Sequence, residues 1–105
     1  LPGVGAFGAA MKTLIKSKII SALENEVFEK RKPILGICIG YQLLFESSEE
    51  DSEEGLSWIP GKVIHFNKNF DITIPHFGWN DIYIKNHKWL FEGVGFRIGF
   101  VLTIV

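Results

Sequence analysis

Cysteine is nearly missing from this chain. Cys38 is the only one, so no internal disulfide can form, and a lone thiol suits a reducing cytoplasm. Histidine is scarce as well: His65, His76 and His87 stand eleven residues apart, and with one cysteine they offer no metal-ligand spacing. Neither a metal nor an organic cofactor is therefore expected. Charge of one sign is also lacking, since 11 Lys and Arg against 12 Asp and Glu leave a formal −1. That balance gives no electrostatic reason to expect nucleic acid or an anionic membrane surface. Charges interrupt every long apolar run, so no segment reaches the roughly 18 residues a membrane-spanning helix needs. The chain does not open on a basic segment followed by an apolar one, and a signal peptide is not supported.

What is present is ample apolar material, 47% of 105 residues, enough for one core and at most one domain. Pro2-Gly3-Val4-Gly5-Ala6-Phe7-Gly8 reads as a glycine-dense loop. From Ala9 to about Lys30 the residues Met11, Leu14, Ile15, Ile19, Ala22, Leu23 and Val27 recur at three- and four-residue steps. They form one amphipathic helical stripe for core packing, with a break near Ser17. Lys30-Arg31-Lys32 places positive charge at its end, and Pro33 stops it. Residues 33–37 are apolar and too short for a helix, which predicts a buried parallel strand. A short helix is expected from Gly40 to about Ser47, turning Leu43, Leu44 and Phe45 inward. Residues 46–54 hold six acids among three serines and read as a solvated loop. Beyond Gly61 the pattern becomes β, with strands expected at Lys62–Phe66, Phe70–Ile74 and Asn80–Lys85. The order of elements predicts an α/β sheet with antiparallel additions. The chain closes on the apolar run 98–105, which as an unpaired strand would be prone to aggregate.

The chemistry concentrates in Pro33-Ile-Leu-Gly36-Ile-Cys38-Ile-Gly40-Tyr-Gln42. A short apolar run, Gly-x-Cys-x-Gly and a helix-like segment together make the pattern of a nucleophile elbow. The strand must turn sharply into the helix, which exposes the central residue, and glycines fit where that turn crowds its neighbours. Backbone amides at the helix start favour thiolate over thiol and can hold an oxyanion. The reaction type this proposes is covalent acyl transfer by cysteine.

Four segments then converge: residues 1–8, residues 35–50, Gly55-Leu-Ser-Trp-Ile-Pro-Gly61 and Pro75-His-Phe-Gly-Trp-Asn80. In this order they closely resemble the glutaminase subunits of imidazole glycerol phosphate synthases, within the class I (triad-type) glutamine amidotransferases. The resemblance covers about residues 1–85 and leaves 86–105 as a divergent tail. It implies a flavodoxin-like α/β fold, hydrolysis of glutamine to glutamate, and passage of ammonia to a cyclase partner in histidine biosynthesis. It also implies a cytoplasmic heterodimer. Carried over residue by residue, Cys38 is the expected nucleophile, with Gly36 and Gly40 as its elbow. The Ile39 amide and Gly3-Val4-Gly5 are the expected oxyanion elements. Gln42 and Glu50 are the expected contacts to glutamine, Glu50 facing its α-ammonium. His76, Trp79 and Asn80 lie where the family meets its cyclase, although Trp79 and Phe77 read equally well as core aromatics.

One departure cuts across this resemblance. The family carries a late His-x-Glu pair, whereas here the histidines are followed by Phe66-Asn67, Phe77-Gly78 and Lys88-Trp89. The chain is expected to be a fragment, lacking the N-terminal strands and the C-terminal catalytic strand of the fold. Three further readings stand beside the main one: a catalytically dead or binding-only remnant, a relative serving amidation of surface-polysaccharide sugars, and an α/β-hydrolase-type cysteine hydrolase. The last does not account for the Pro75–Asn80 loop.

Overall fold

The computed structural model describes residues 1–66 and the backbone of residues 79–81 and 99–101. The chain divides into two compact units, Leu1–Asn67 and Lys68–Val105. In the first unit, β1 (Pro2–Gly3) leads to α1 (Phe7–Ser17), α2 (Ile20–Glu24) and a π-helical turn at Asn25–Glu29. Then come β2 (Ile37–Cys38), α3 (Ile39–Gln42), β3 (Phe45–Ser48), β4 (Asp51–Glu54) and β5 (Ile59–Val63). In the second unit, β6 (Trp79–Asp81) pairs antiparallel with β7 (Gly99–Val101), with Asn80 opposite Phe100. The tail segment 99–101 is thus paired. The expected strand at Phe70–Ile74, and the remainder of Asn80–Lys85, lie outside the described residues.

The long helical pattern breaks where expected. Lys18 adopts a left-handed conformation (φ 58°) and its N–H donates to the Ile15 carbonyl at 3.1 Å, closing α1. The spacing Phe7, Met11, Leu14 places one face of α1 in the core, where these side chains meet Ile39 and Leu43. The stripe does not stay buried throughout, however. Ile15 and Ile19 are exposed, and α2 buries no residue fully. At 100° per residue Ile15 lies about 70° around the helix from the centre of the Phe7–Met11–Leu14 face, at its edge, and α1 ends at the left-handed Lys18 before α2 begins. Glu26 pairs with Lys30 and Lys32 where the helical segment ends, and Arg31 turns left-handed (φ 53°) before Pro33.

Two strand expectations are corrected. Residues 33–36 are not in a strand, and β2 has only two residues, paired parallel with β1 (Pro2 opposite Ile37, Gly3 opposite Cys38). Leu35 (51%) and Ile37 (54%) are exposed, because β1 is the only strand alongside β2 among the described residues. The helix expected to run to Ser47 ends at Gln42, and the acidic stretch forms a hairpin rather than a loop. Residues 43–46 are instead bonded to a segment further along the chain. The Leu43 carbonyl accepts from Leu56 N–H, that of Leu44 from Trp58 and Ile59, that of Phe45 from Ser57 and that of Glu46 from Gly55. Bonded to residues 55–59 in this way, the chain after Leu44 runs extended as β3. β3 then pairs antiparallel with β4 and parallel with β5, giving the order β4-β3-β5. β5 begins at Ile59, three residues before the expected Lys62, and includes Pro60 and Gly61.

Candidate active site

Cys38 is the last residue of β2 and stands immediately before α3. Its backbone has φ 56° and ψ −127°, a region in which a side chain is strained by about 1–3 kcal/mol. The surroundings over-determine that conformation. Gly3 is opposite Cys38 in the parallel pair, Ile37 N–H donates to the Leu1 carbonyl (3.0 Å), and the Leu1 ammonium donates to the Leu35 carbonyl (2.7 Å). The next residue, Ile39, is 1% exposed and anchors the turn in the core. Cys38 itself is half-buried against the same cluster of Phe7, Met11, Leu14, Ile39 and Leu43.

The flanking glycines have direct steric reasons. A Cβ on Gly36 would lie 2.6 Å from Tyr41 Cα and 3.0 Å from Tyr41 N. A Cβ on Gly40 would run into the Leu1 carbonyl and lie 3.1 Å from the Pro2 carbonyl carbon. Gly3 is similarly close, its missing Cβ 3.1 Å from Gly40 N. The N-terminal loop and the start of α3 are therefore in backbone contact around the thiol. Cys38 leads directly into α3, so the backbone of Ile39 and Gly40 follows immediately on the sulfur-bearing residue. Val4 is 92% exposed and Gly5 has φ 100°, so this loop passes over the surface with its backbone accessible. A strained, half-buried thiol on a strand-to-helix turn suits nucleophilic attack on a carbonyl carbon.

Beyond this geometry, the family model for class I glutamine amidotransferases matches residues 1–97. The chain belongs to the class I glutamine amidotransferase family. Curated relatives carry the same likeness. Subunit HisH 2 of imidazole glycerol phosphate synthase from Vibrio vulnificus (strain YJ016) is 54% identical over 93 residues, 88% of this chain and 44% of its own length. The HisH subunit from Sulfurimonas denitrificans is 54% identical over 98 residues, 90% of this chain and 46% of its own. HisH 1 from Campylobacter jejuni (strain 81-176) is 43% identical over 101 residues, 95% and 50% respectively. The chain spans about half the length of the curated relatives it matches. An incomplete class I amidotransferase fold of mixed α/β content accords with both observations.

The other candidate residues of this amidotransferase chain are spread over several elements. Gln42 ends α3 and is half-buried, one helical turn from Cys38. Glu50 sits in the β3–β4 turn, exposed, and its Oε2 accepts the Phe7 N–H at 3.1 Å. Position alone did not foretell that contact, which spans 43 residues of sequence. A second contact was equally hidden: the Asp51 carboxylate packs over Gly8, where a Cβ would lie 2.5 Å from Asp51 Cγ. Lys12 and Glu53 add an ion pair of 3.0 Å between α1 and β4.

Of the histidines, His65 is exposed just beyond β5, and its backbone N–H donates to Glu49 Oε2 at 3.0 Å. That bond, and then the Lys62 ammonium at 3.1 Å, hold the Glu49 carboxyl below its usual range. His76 and His87 lie outside the described residues. Trp79 and Asn80 contribute backbone to β6, so the loop expected at 75–80 ends in a strand. Among the described residues no group of three His, Cys, Asp or Glu side chains is arranged to hold a metal ion. Among them, too, no helix is long and apolar enough to cross a membrane.

Proposed function

We propose that this chain is the nucleophile-bearing part of a glutaminase subunit that releases ammonia from glutamine for a cyclase partner. The observation that carries the reading is the Cys38 backbone, held at φ 56° on a strand-to-helix turn inside an amidotransferase family match. The Sγ thiolate would attack the side-chain amide carbon of glutamine, forming a C–S bond and a tetrahedral oxyanion. Gly3-Val4-Gly5 and the amide of Ile39 are the groups we assign to that oxyanion. Collapse breaks the C–N bond, and the departing nitrogen takes a proton to leave as ammonia. Water then attacks the γ-glutamyl thioester, returning the thiol and releasing glutamate. Gln42 and Glu50 are assigned to the substrate's amino-acid end. The cyclase, and the place of the ammonia in imidazole glycerol phosphate formation and histidine biosynthesis, rest on the names of the relatives at up to 54% identity. His76, Trp79 and Asn80 are assigned to the face that meets this cyclase, and the complex to the cytoplasm.

The proton steps need a base that accepts from the thiol and donates to nitrogen. No His-x-Glu pair occurs in the 105 residues. We therefore read the 105-residue chain as unable to turn over by itself, whatever its lineage. The test is glutamate and ammonia release from glutamine by the purified chain, with and without a cyclase. No turnover is expected in either case. Ammonia release that disappears in Cys38→Ala would overturn this reading and assign the base to one of the three histidines present.

A further inference from the structure

We propose that Glu50 is a positioning residue for the Cys38 turn, acting through one carboxylate oxygen on the start of α1. Helix α1 has no side-chain cap of its own: Ala6 occupies the N-cap position, and the first turn carries no acid. Its N-terminal amides and dipole would ordinarily be met by a local Ser, Thr, Asp or Asn. Here the anion comes from 43 residues away, as Glu50 Oε2 accepts the Phe7 N–H at 3.1 Å. The adjacent Asp51 carboxylate packs on Gly8, so the β3–β4 turn is seated on the first turn of α1. Ser48 Oγ in turn accepts the Glu50 N–H at 3.2 Å, and Ser48 is only 8% exposed. Glu50 is therefore fixed at its own backbone.

What this holds is the wall of the thiol site. Phe7 is 0% exposed and lies in the cluster against which Cys38 packs. Gly3 is pinned from the other side by its pairing with Cys38. Between the two fixed points run only Val4, Gly5 and Ala6, with Gly5 at φ 100° and little to hold it otherwise. Releasing Phe7 frees one end of this loop and loosens the packing against Cys38. Phe7 engages Oε2; the contact to the α-ammonium of glutamine assigned to Glu50 above would then fall to Oε1, and that second role rests on the glutaminase reading.

Alkylation of Cys38 in the full 105-residue chain separates these roles, because the chain has a single thiol. Iodoacetamide, neutral and without an α-ammonium, reports access to the sulfur. The glutamine-shaped electrophile 6-diazo-5-oxo-L-norleucine reports recognition of the amino-acid end. Glu50→Gln keeps an oxygen acceptor within reach of Phe7, so its iodoacetamide rate stays within about twofold of the parent chain. Glu50→Asp keeps the charge but withdraws it by one methylene, and Glu50→Ala removes it; both should speed iodoacetamide by up to about tenfold, the upper end of what one ordinary hydrogen bond is worth. A purely electrostatic role predicts the reverse order, with Asp unchanged and Gln altered. That order, equal changes in Gln and Asp, or parent-like rates in all variants would overturn the proposal. Should the Ala variant fail to fold, the Gln–Asp comparison decides alone. Failure of glutamine to slow alkylation of the parent chain would sink the glutaminase reading, while the iodoacetamide order still tests positioning.

Discussion

Replacing Gly40 by alanine perturbs the tightest backbone approach in the Cys38 turn, and its cost can be worked from the structure. The added Cβ would lie 2.6 Å from the Leu1 carbonyl carbon and 3.1 Å from that of Pro2, with the Leu1 carbonyl oxygen directly in its way. Non-bonded carbons prefer about 3.5–4.0 Å, so β1 must retreat by roughly 1 Å. Both obstacles are main chain, and no side-chain rotation relieves them. Retreat stretches the two bonds that seat β1 on β2, from the Leu1 ammonium to Leu35 (2.7 Å) and from Ile37 to Leu1 (3.0 Å). Each is worth about 0.5–1.5 kcal/mol, and overpacking adds about 1–3 kcal/mol. The expected loss is about 2–6 kcal/mol, the upper end applying if both bonds are lost outright. Urea unfolding of the full chain, monitored by circular dichroism and tryptophan fluorescence, measures it. Gly5→Ala is the control, because its missing Cβ has nothing within 4 Å and only its φ of 100° opposes a side chain. That substitution should cost about 1–2 kcal/mol. A Gly40→Ala chain that unfolds with the parent, or is no less stable than Gly5→Ala, would refute the steric account of the elbow glycines.

The same geometry sets two further outcomes. Cys38→Gly is expected to be at least as stable as Cys38→Ala, reversing the usual penalty of about 0.5–1 kcal/mol for glycine, because φ 56° strains any Cβ. Thermal melts of the two variants decide it, and an alanine variant clearly more stable than glycine would count against strain at this position. Glu49, held below its usual range by the His65 N–H and then by Lys62, contributes stability that is present above the ordinary carboxylate range. That contribution is lost as pH falls through the lowered folded-state value. The Tm gap between the parent chain and Glu49→Gln should therefore be full near neutrality and close in acid; a gap independent of pH would show that the carboxylate charge plays no part.

The legible parts of the fold were those written in local spacing. The Phe7–Met11–Leu14 face, the break at Ser17 and the placing of Cys38 between strand and helix each rest on residues within a few positions of one another. The illegible parts depend on partners far along the chain. Leu43, Leu44, Phe45 and Glu46 look like the continuation of a helix, and carry that propensity. Residues 55–59 capture their carbonyls and turn the acidic run into a hairpin. Likewise Leu35, just before β2, and Ile37, within it, are exposed, since burial requires a neighbour that composition does not name.

By itself the amino-acid sequence determined the chemical vocabulary: one thiol, glycines two positions either side of it, and no His-x-Glu pair to serve as its base. These are facts of residue identity, and folding can neither add a base nor remove a methylene-free position. Only the tertiary structure decided what holds that thiol. The Phe7 amide bound to Glu50, the Gly8–Asp51 contact and the Leu1–Gly40 approach join residues about 40 apart. Contacts of that kind arise from how the chain returns on itself, and local periodicity carries no record of them.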